Sequence, residues 1–262
     1  MSIAANLALV HERIAEAAAR AGRNPEDVQL MAVSKTFSPE QILEAYDAGQ
    51  RPFGESRVQE IASTISQLTE WQLHRGTQTN IPSPVGVQWH MIGHLQSNKA
   101  AKAVELFDAI DSLDSLRLAE RLNSAAQAQG KVLPVLIELN LGVEEAKTGL
   151  PADSPELEEL LQAASKFENL SIKGLMAVPP YSDDPEDARP YFRRLREIRD
   201  SIVARKLPHV GMDQLSMGMS GDFEVAIEEG STCVRIGSAI FGGRDENRLT
   251  TEAQRTQSKE EG

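Results

Sequence analysis

The sequence predicts an α/β chain folded as one (β/α)8 barrel of the TIM type, with an extra helix at its N-terminus. Three observations carry this reading. Eight short apolar runs rich in β-formers recur along the 262 residues, each followed by a segment of helical period. The length suits a single barrel of roughly 250 residues. Small and charged residues gather where the first, seventh and eighth runs end, and barrels carry their chemistry at the C-terminal ends of strands. A doubly wound open sheet is the competing arrangement that the same alternation allows.

The strands are expected at 28–34, 52–54, 88–92, 109–111, 134–140, 173–178, 214–217 and 232–236. Ahead of them, residues 1–21 read as a helix whose apolar stripe is Ile3, Leu7, Val10, Ile14 and Ala17. After the first strand, Ser38 and Pro39 supply an N-cap and a first-turn proline. Gln41 completes a capping box there, and Gly49 is placed as the stop. The next helix shows Val58, Ile61, Ile65 and Leu68 on one face. Leu116, Ala119, Leu122 and Ala126 do the same after the fourth strand. Ser154 and Pro155 open the helix that carries Leu157, Leu160, Leu161 and Ala164. Ala188, Tyr191, Leu195, Ile198 and Ile202 stripe the one after the sixth strand. The barrel domain is drawn over 1–245, with 74–87 as a polar surface loop and 246–262 as a polar, flexible tail.

Composition narrows the function. A net charge of −12 argues against a nucleic-acid surface, which carries excess Lys and Arg. It leaves room for an anionic small ligand, because a phosphate site needs only local donors. The one cysteine, Cys233, precludes a disulfide within the chain and fits a reducing cytoplasm. It is read as a packed residue of the eighth strand rather than a nucleophile. Residues 1–10 lack the pattern of a signal peptide, and no apolar stretch approaches the roughly 20 residues of a membrane span. His90 and His94 have helical metal-ligand spacing but bracket a strand end and a glycine, so no metal site is expected.

The chemistry gathers in two places. Leu30-Met31-Ala32-Val33 ends in Ser34-Lys35-Thr36. Burial at a strand end lowers the pKa of a lysine, and a neutral amine attacks an aldehyde to give a Schiff base. The plainer reading is a lysine leaving the barrel for solvent. Ser216-Met217-Gly218-Met219-Ser220-Gly221 follows the seventh strand, and Arg235-Ile236-Gly237-Ser238 closes the eighth. Barrels bind phosphate in these two loops, on backbone N–H groups. Gly218 and Gly237 allow close backbone approach, while Ser216 and Ser238 add hydroxyls. Two ordinary glycine turns are the alternative. Arg235, inside an apolar strand end, is either aimed at a ligand or paired with an acid on a neighbouring strand.

These residues carry a resemblance. Ala32-Val33-Ser34-Lys35-Thr36, Phe53-Gly54-Glu55, Val58-Gln59-Glu60, Trp89-His90-Met91-Ile92-Gly93-His94-Leu95-Gln96-Ser97-Asn98-Lys99, Gly174-Leu175-Met176, Leu215-Ser216-Met217-Gly218-Met219-Ser220 and Val234-Arg235-Ile236-Gly237-Ser238-Ala239-Ile240-Phe241-Gly242 together resemble the YggS family, the pyridoxal phosphate homeostasis proteins. The likeness runs from the first helix to Asp245. It implies the pyridoxal 5′-phosphate (PLP) barrel shared with the N-terminal domain of alanine racemase. Lys35 would then carry PLP as a Schiff base, and Arg235 would face the pyridine nitrogen. Ser216, Gly237 and Ser238 would hold the phosphate, with Met217 and Gly218 lining the site. Two features depart from the family pattern. Gly54-Glu55-Ser56-Arg57 stands where the family commonly has Gly-Glu-Asn-Tyr, and the 74–87 loop is longer than usual.

The resemblance implies a PLP carrier that balances intracellular PLP and amino and keto acids, with no established catalytic activity. PLP and amino acids are its expected ligands, and nucleic acid and membrane are not. The chain is expected to lack the C-terminal β domain that brings a catalytic tyrosine from a partner subunit in the racemases, so a monomer is expected. An arginine at the pyridine nitrogen also keeps that nitrogen unprotonated, which makes the ring a poorer electron sink. The alternative is a minimal PLP-dependent amino-acid racemase, with His90 or Glu55 as the acid–base group. A barrel with a vestigial ligand site is a third reading.

Overall fold

A computed structural model describes residues 1–74, 86–142 and 148–242 of the chain. Helix α1 (Ile3–Arg20) comes first, then β1 (Gln29–Val33), α2 (Pro39–Asp47), β2 (Pro52–Glu55) and α3 (Val58–His74). The middle of the chain holds β3 (Gln88–Met91), α4 (Ala100–Leu106), β4 (Ala109–Leu113), α5 (Leu116–Ala128) and β5 (Leu133–Asn140). A two-residue strand, β6 (Leu150–Pro151), precedes α6 (Pro155–Ala163), β7 (Leu170–Ala177) and α7 (Arg189–Arg205). The described chain ends with β8 (Val210–Ser216), α8 (Phe223–Glu228), β9 (Cys233–Ile236) and the single turn α9 (Ser238–Phe241).

Every strand pairing is parallel. The order β4-β3-β2-β1-β9-β8-β7-β5 is closed by β4 against β5, which makes an eight-stranded barrel with β6 added beside β5. Closure leaves no sheet edge and excludes the open doubly wound sheet. All eight expected strands are present. Two begin earlier than expected: β7 starts at Leu170 and β8 at Val210, where Ile172 pairs Val210. Gly211 and Asp213 weaken the β signal of that segment, and sheet pairing overrides it.

The helices form where their caps and stripes place them. Ser38 and Gln41 make both bonds of the capping box at the start of α2. Ser115 and Ser154 cap α5 and α6 by accepting from Leu118 N–H and Leu157 N–H. The stripe expected for α7 buries Ala188, Leu195, Ile198 and Ile202, but Phe192 is fully buried where Tyr191 was expected, and Tyr191 is half-buried. The layer between barrel and helices is apolar throughout, with Phe53 and Trp89 in contact at 5.4 Å between ring centroids. Helix α1 packs on α2, α8 and α9 through Ile3, Leu7, Val10, Ile14 and Ala17. It thereby braces the side of the barrel on which β1 and β9 meet.

The strands also carry buried polar groups: Asp111, Glu138, Ser216 and Arg235 are each no more than 5% exposed. No helix among the described residues is long and apolar enough to cross a membrane. Residues 75–85, the body of the expected surface loop, and the expected tail at 246–262 lie outside the described residues.

Candidate functional site

The C-terminal ends of β1, β8 and β9 meet at one edge of the barrel mouth. β1 and β9 run in register, with Ala32 opposite Ile236. A Cβ on Gly237 would stand 3.4 Å from the Val33 carbonyl oxygen, so the loops that follow the two strands start side by side. Phe37 N–H donates to Ser34 O at 3.1 Å, which closes a turn with Lys35 and Thr36 at its corner. Thr36 has φ 72, a left-handed conformation costing of the order of 1–3 kcal/mol for a β-branched residue. Phe37 stacks on Phe241 of α9, with centroids 4.6 Å apart. The Lys35 turn is therefore pinned to the loop that carries Gly237 and Ser238. Lys35 itself is exposed. The burial expected for it is absent, because the residue stands beyond the strand end on the open face.

Arg235 lies beneath this mouth and is 3% exposed. Its Nη1 donates to Ser216 Oγ at 2.7 Å and its Nη2 to Ala177 O at 2.9 Å. Burial pulls its pKa below the usual guanidinium value, opposed by Cys233, Asp111, Glu138 and Asp222. No carboxylate among the described residues lies within ion-pair distance of it, which removes the reading of Arg235 as one half of a structural salt bridge. Glu138 Oε1 accepts from Thr148 Oγ1 at 2.7 Å, whereas its buried Oε2 has no partner among the described residues. Burial raises the Glu138 pKa.

Ser216 is fully buried and turned to Arg235, and Met217 sits in the apolar layer between barrel and helices. Ser216 is the last residue of β8, and Met217 follows it directly. The hydroxyl brought to the mouth is Ser220, which accepts from Gly237 N–H at 3.3 Å and Ala239 N–H at 3.4 Å. Sequence reasoning passed it over for Ser216, although both flank the same glycine. Gly218 has φ 97, and a Cβ there would come within 2.6 Å of Ala226 Cβ. Its carbonyl accepts Arg235 N–H at 2.9 Å, tying the two loops together.

Glu55 ends β2 and is 3% exposed. Ser34 Oγ donates to its Oε1 at 2.6 Å. Burial pushes its carboxyl up to about 7, against that hydrogen bond and the charge of nearby Lys35. His90 pairs with Asp111, and both line a cavity at the opposite mouth of the barrel. His90 therefore cannot act as an acid–base partner to Lys35. Cys233 is buried, with its thiol pushed up to about 12 mainly by burial, and is no nucleophile at neutral pH.

Comparison with known proteins fixes the lineage. The family model described as "Alanine racemase, N-terminal domain" matches residues 5–245. The pyridoxal phosphate homeostasis protein of Aquifex aeolicus is 42% identical over 244 residues, covering 93% of this chain and 99% of the relative. The protein of the same name from Escherichia coli K12 is 44% identical over 248 residues, covering 93% and 97%. This chain belongs to the alanine racemase N-terminal domain family, in the branch of the pyridoxal phosphate homeostasis proteins. A solved structure, PipY of Synechococcus elongatus with PLP bound, superposes with a TM-score of 0.76 at 35% identity, covering 92% of this chain and all of PipY. Alanine racemase of Streptomyces coelicolor shares the fold at a TM-score of 0.66 and 19% identity, and this chain spans 57% of its length.

Proposed function

We propose that this protein binds and carries PLP at the mouth formed by Lys35, Arg235 and the Gly237–Ser238 loop, and serves intracellular PLP homeostasis. The observation that carries the proposal is Arg235, a buried guanidinium held by two neutral oxygens with no carboxylate partner among the described residues. Such a group is costly unless something at the mouth uses it. The residues around it fit PLP. The Lys35 amine can form the Schiff base with the aldehyde. The Ser220 hydroxyl, which accepts from the Gly237 and Ala239 N–H groups and keeps its own proton to donate, and the exposed Ser238 suit a phosphate. Arg235 can donate to the ring nitrogen, and the Gly218 carbonyl holds the Arg235 backbone N–H at 2.9 Å.

When bound, PLP supplies an electron-withdrawing ring conjugated to the lysine nitrogen. Arg235 remains cationic and works against protonation of the ring nitrogen, which lowers the ring's power to stabilise a carbanion. The Gly237 and Ala239 N–H groups fix the Ser220 hydroxyl, which is left to donate. The arrangement therefore favours holding PLP over turning over an amino acid. The same reading carries amino acids as further ligands, a monomeric chain and a cytoplasmic location. Glu55 alone favours the racemase alternative, being a carboxyl poised near neutral pH beside Lys35. Exchange of the α-hydrogen of an amino acid with solvent, lost in Glu55→Gln, would establish that alternative.

The phosphate contact is tested by titrating PLP into apo protein. Ser220→Ala is expected to weaken PLP binding about tenfold, roughly the loss of one anchored hydrogen bond to a charged group. Ser216→Ala should act through Arg235 by altering the position of the absorbance band. Equal affinities for wild type and Ser220→Ala would remove Ser220 from the site.

A further inference from the structure

The N-terminal mouth of the barrel, opposite Lys35, carries a second cavity of about 420 Å³ ringed by the starts of six strands. That volume lies within the range of small-molecule pockets. Its wall holds a polar pair: His90 Nδ1 lies 3.1 and 3.2 Å from the two oxygens of Asp111. The His90 side chain is 14% exposed, and its Nε2 has no partner among the described residues. Lys173, half-buried on β7, also makes no hydrogen bond or ion pair among the described residues. The amides of Gln88 and Gln214 stand at the rim. The two acids present are occupied: Asp111 faces His90, and Asp108 Oδ2 accepts Trp89 N–H at 2.7 Å.

The groups left to meet a ligand can supply donors: the two amides, Lys173 Nζ and, when His90 is protonated, its Nε2. Burial works against that charge, but Asp111, with Asp108 behind it, holds the His90 pKa above the usual histidine value. A half-buried lysine and an imidazolium face one cavity whose carboxylates among the described residues are Asp111 and Asp108, each already holding a donor. We infer that this mouth binds a small anion, a carboxylate or phosphate group seated between His90 Nε2 and Lys173 Nζ, at a site separate from that of Lys35. None of the residues proposed to hold PLP lines this cavity.

The test is a side-chain NMR titration of His90 in PLP-loaded protein, with the Lys35 face already filled. Inorganic phosphate is added in one arm and pyruvate in the other. The expected result is a saturable shift of His90 Nε2 with millimolar affinity in at least one arm, and that arm identifies the source of the anion. The affinity should fall at least tenfold in Lys173→Gln and return in Lys173→Arg. The PLP absorbance of the Lys173 variants shows that they fold. No saturable shift in either arm, or an unaltered response in Lys173→Gln, overturns the inference and leaves a water-filled barrel mouth with a structural His–Asp pair.

Discussion

Arg235 and Glu55 show how burial sets the chemistry of single residues in this barrel. Glu55 holds its proton to about pH 7 in the folded chain, against 4.5 for an ordinary glutamate. Between those values the folded state binds more protons than the unfolded one, so stability is fully present below pH 4.5 and falls as pH rises to about 7. The difference corresponds to about 3 kcal/mol from this residue. Glu55→Gln keeps an acceptor for Ser34 Oγ and removes the titration. Denaturant unfolding at pH 5 and pH 8 should show the variant losing less stability than wild type over that interval; an equal loss would place the titrating group elsewhere. Gly218 gives a second prediction at this scale. A left-handed φ and a 2.6 Å approach to Ala226 leave no place for a methyl group, so Gly218→Ala should cost at least about 2 kcal/mol in urea unfolding and loosen PLP. The residues at the strand ends were legible because residue type and position agree: Lys35 after β1, and Arg235 and Gly237 at the end of β9. The side-chain directions of Ser216 and Met217 were not. Which way a side chain points depends on the pleat, where a slip of one residue reverses the face, and the sequence offered two serines around one glycine.

Among the elements, the short turn α9 matters beyond its size, because Phe241 stacks on Phe37 and fixes the Lys35 turn against it. Phe37→Ala should cost about 2 kcal/mol, less than for a fully buried ring. It should also release PLP more readily, since the lysine turn loses its anchor to the Gly237 loop. Dialysis of loaded wild type and variant measures this, and equal retention would show that the turn holds its shape alone. Caps and stripes made α1, α2, α5 and α6 legible, because each is a local pattern. The early starts of β7 and β8 were not legible. They form through pairing with each other, with a register shift between Ile172 and Gly174, and no local signal carries that.

For the molecule as a whole, closure of β4 on β5 turns eight short strands into a rigid ring with two mouths. A buried polar set of Asp111, Glu138, Ser216 and Arg235 lies on the strands between them. Alternation of strands and helices disclosed the ring, while that polar set came into view only with the fold. Because ligand binding to the folded state alone stabilises the whole barrel, PLP loading should raise the melting temperature with PLP concentration. The most direct test of the central claim is the absorbance spectrum of PLP-loaded protein before and after borohydride, in wild type and Lys35→Ala. The account predicts a long-wavelength band in wild type that borohydride abolishes, leaving the cofactor fixed to the peptide that contains Lys35, and no such band in the variant. A band of equal strength in Lys35→Ala, or reduction onto another lysine, would contradict it.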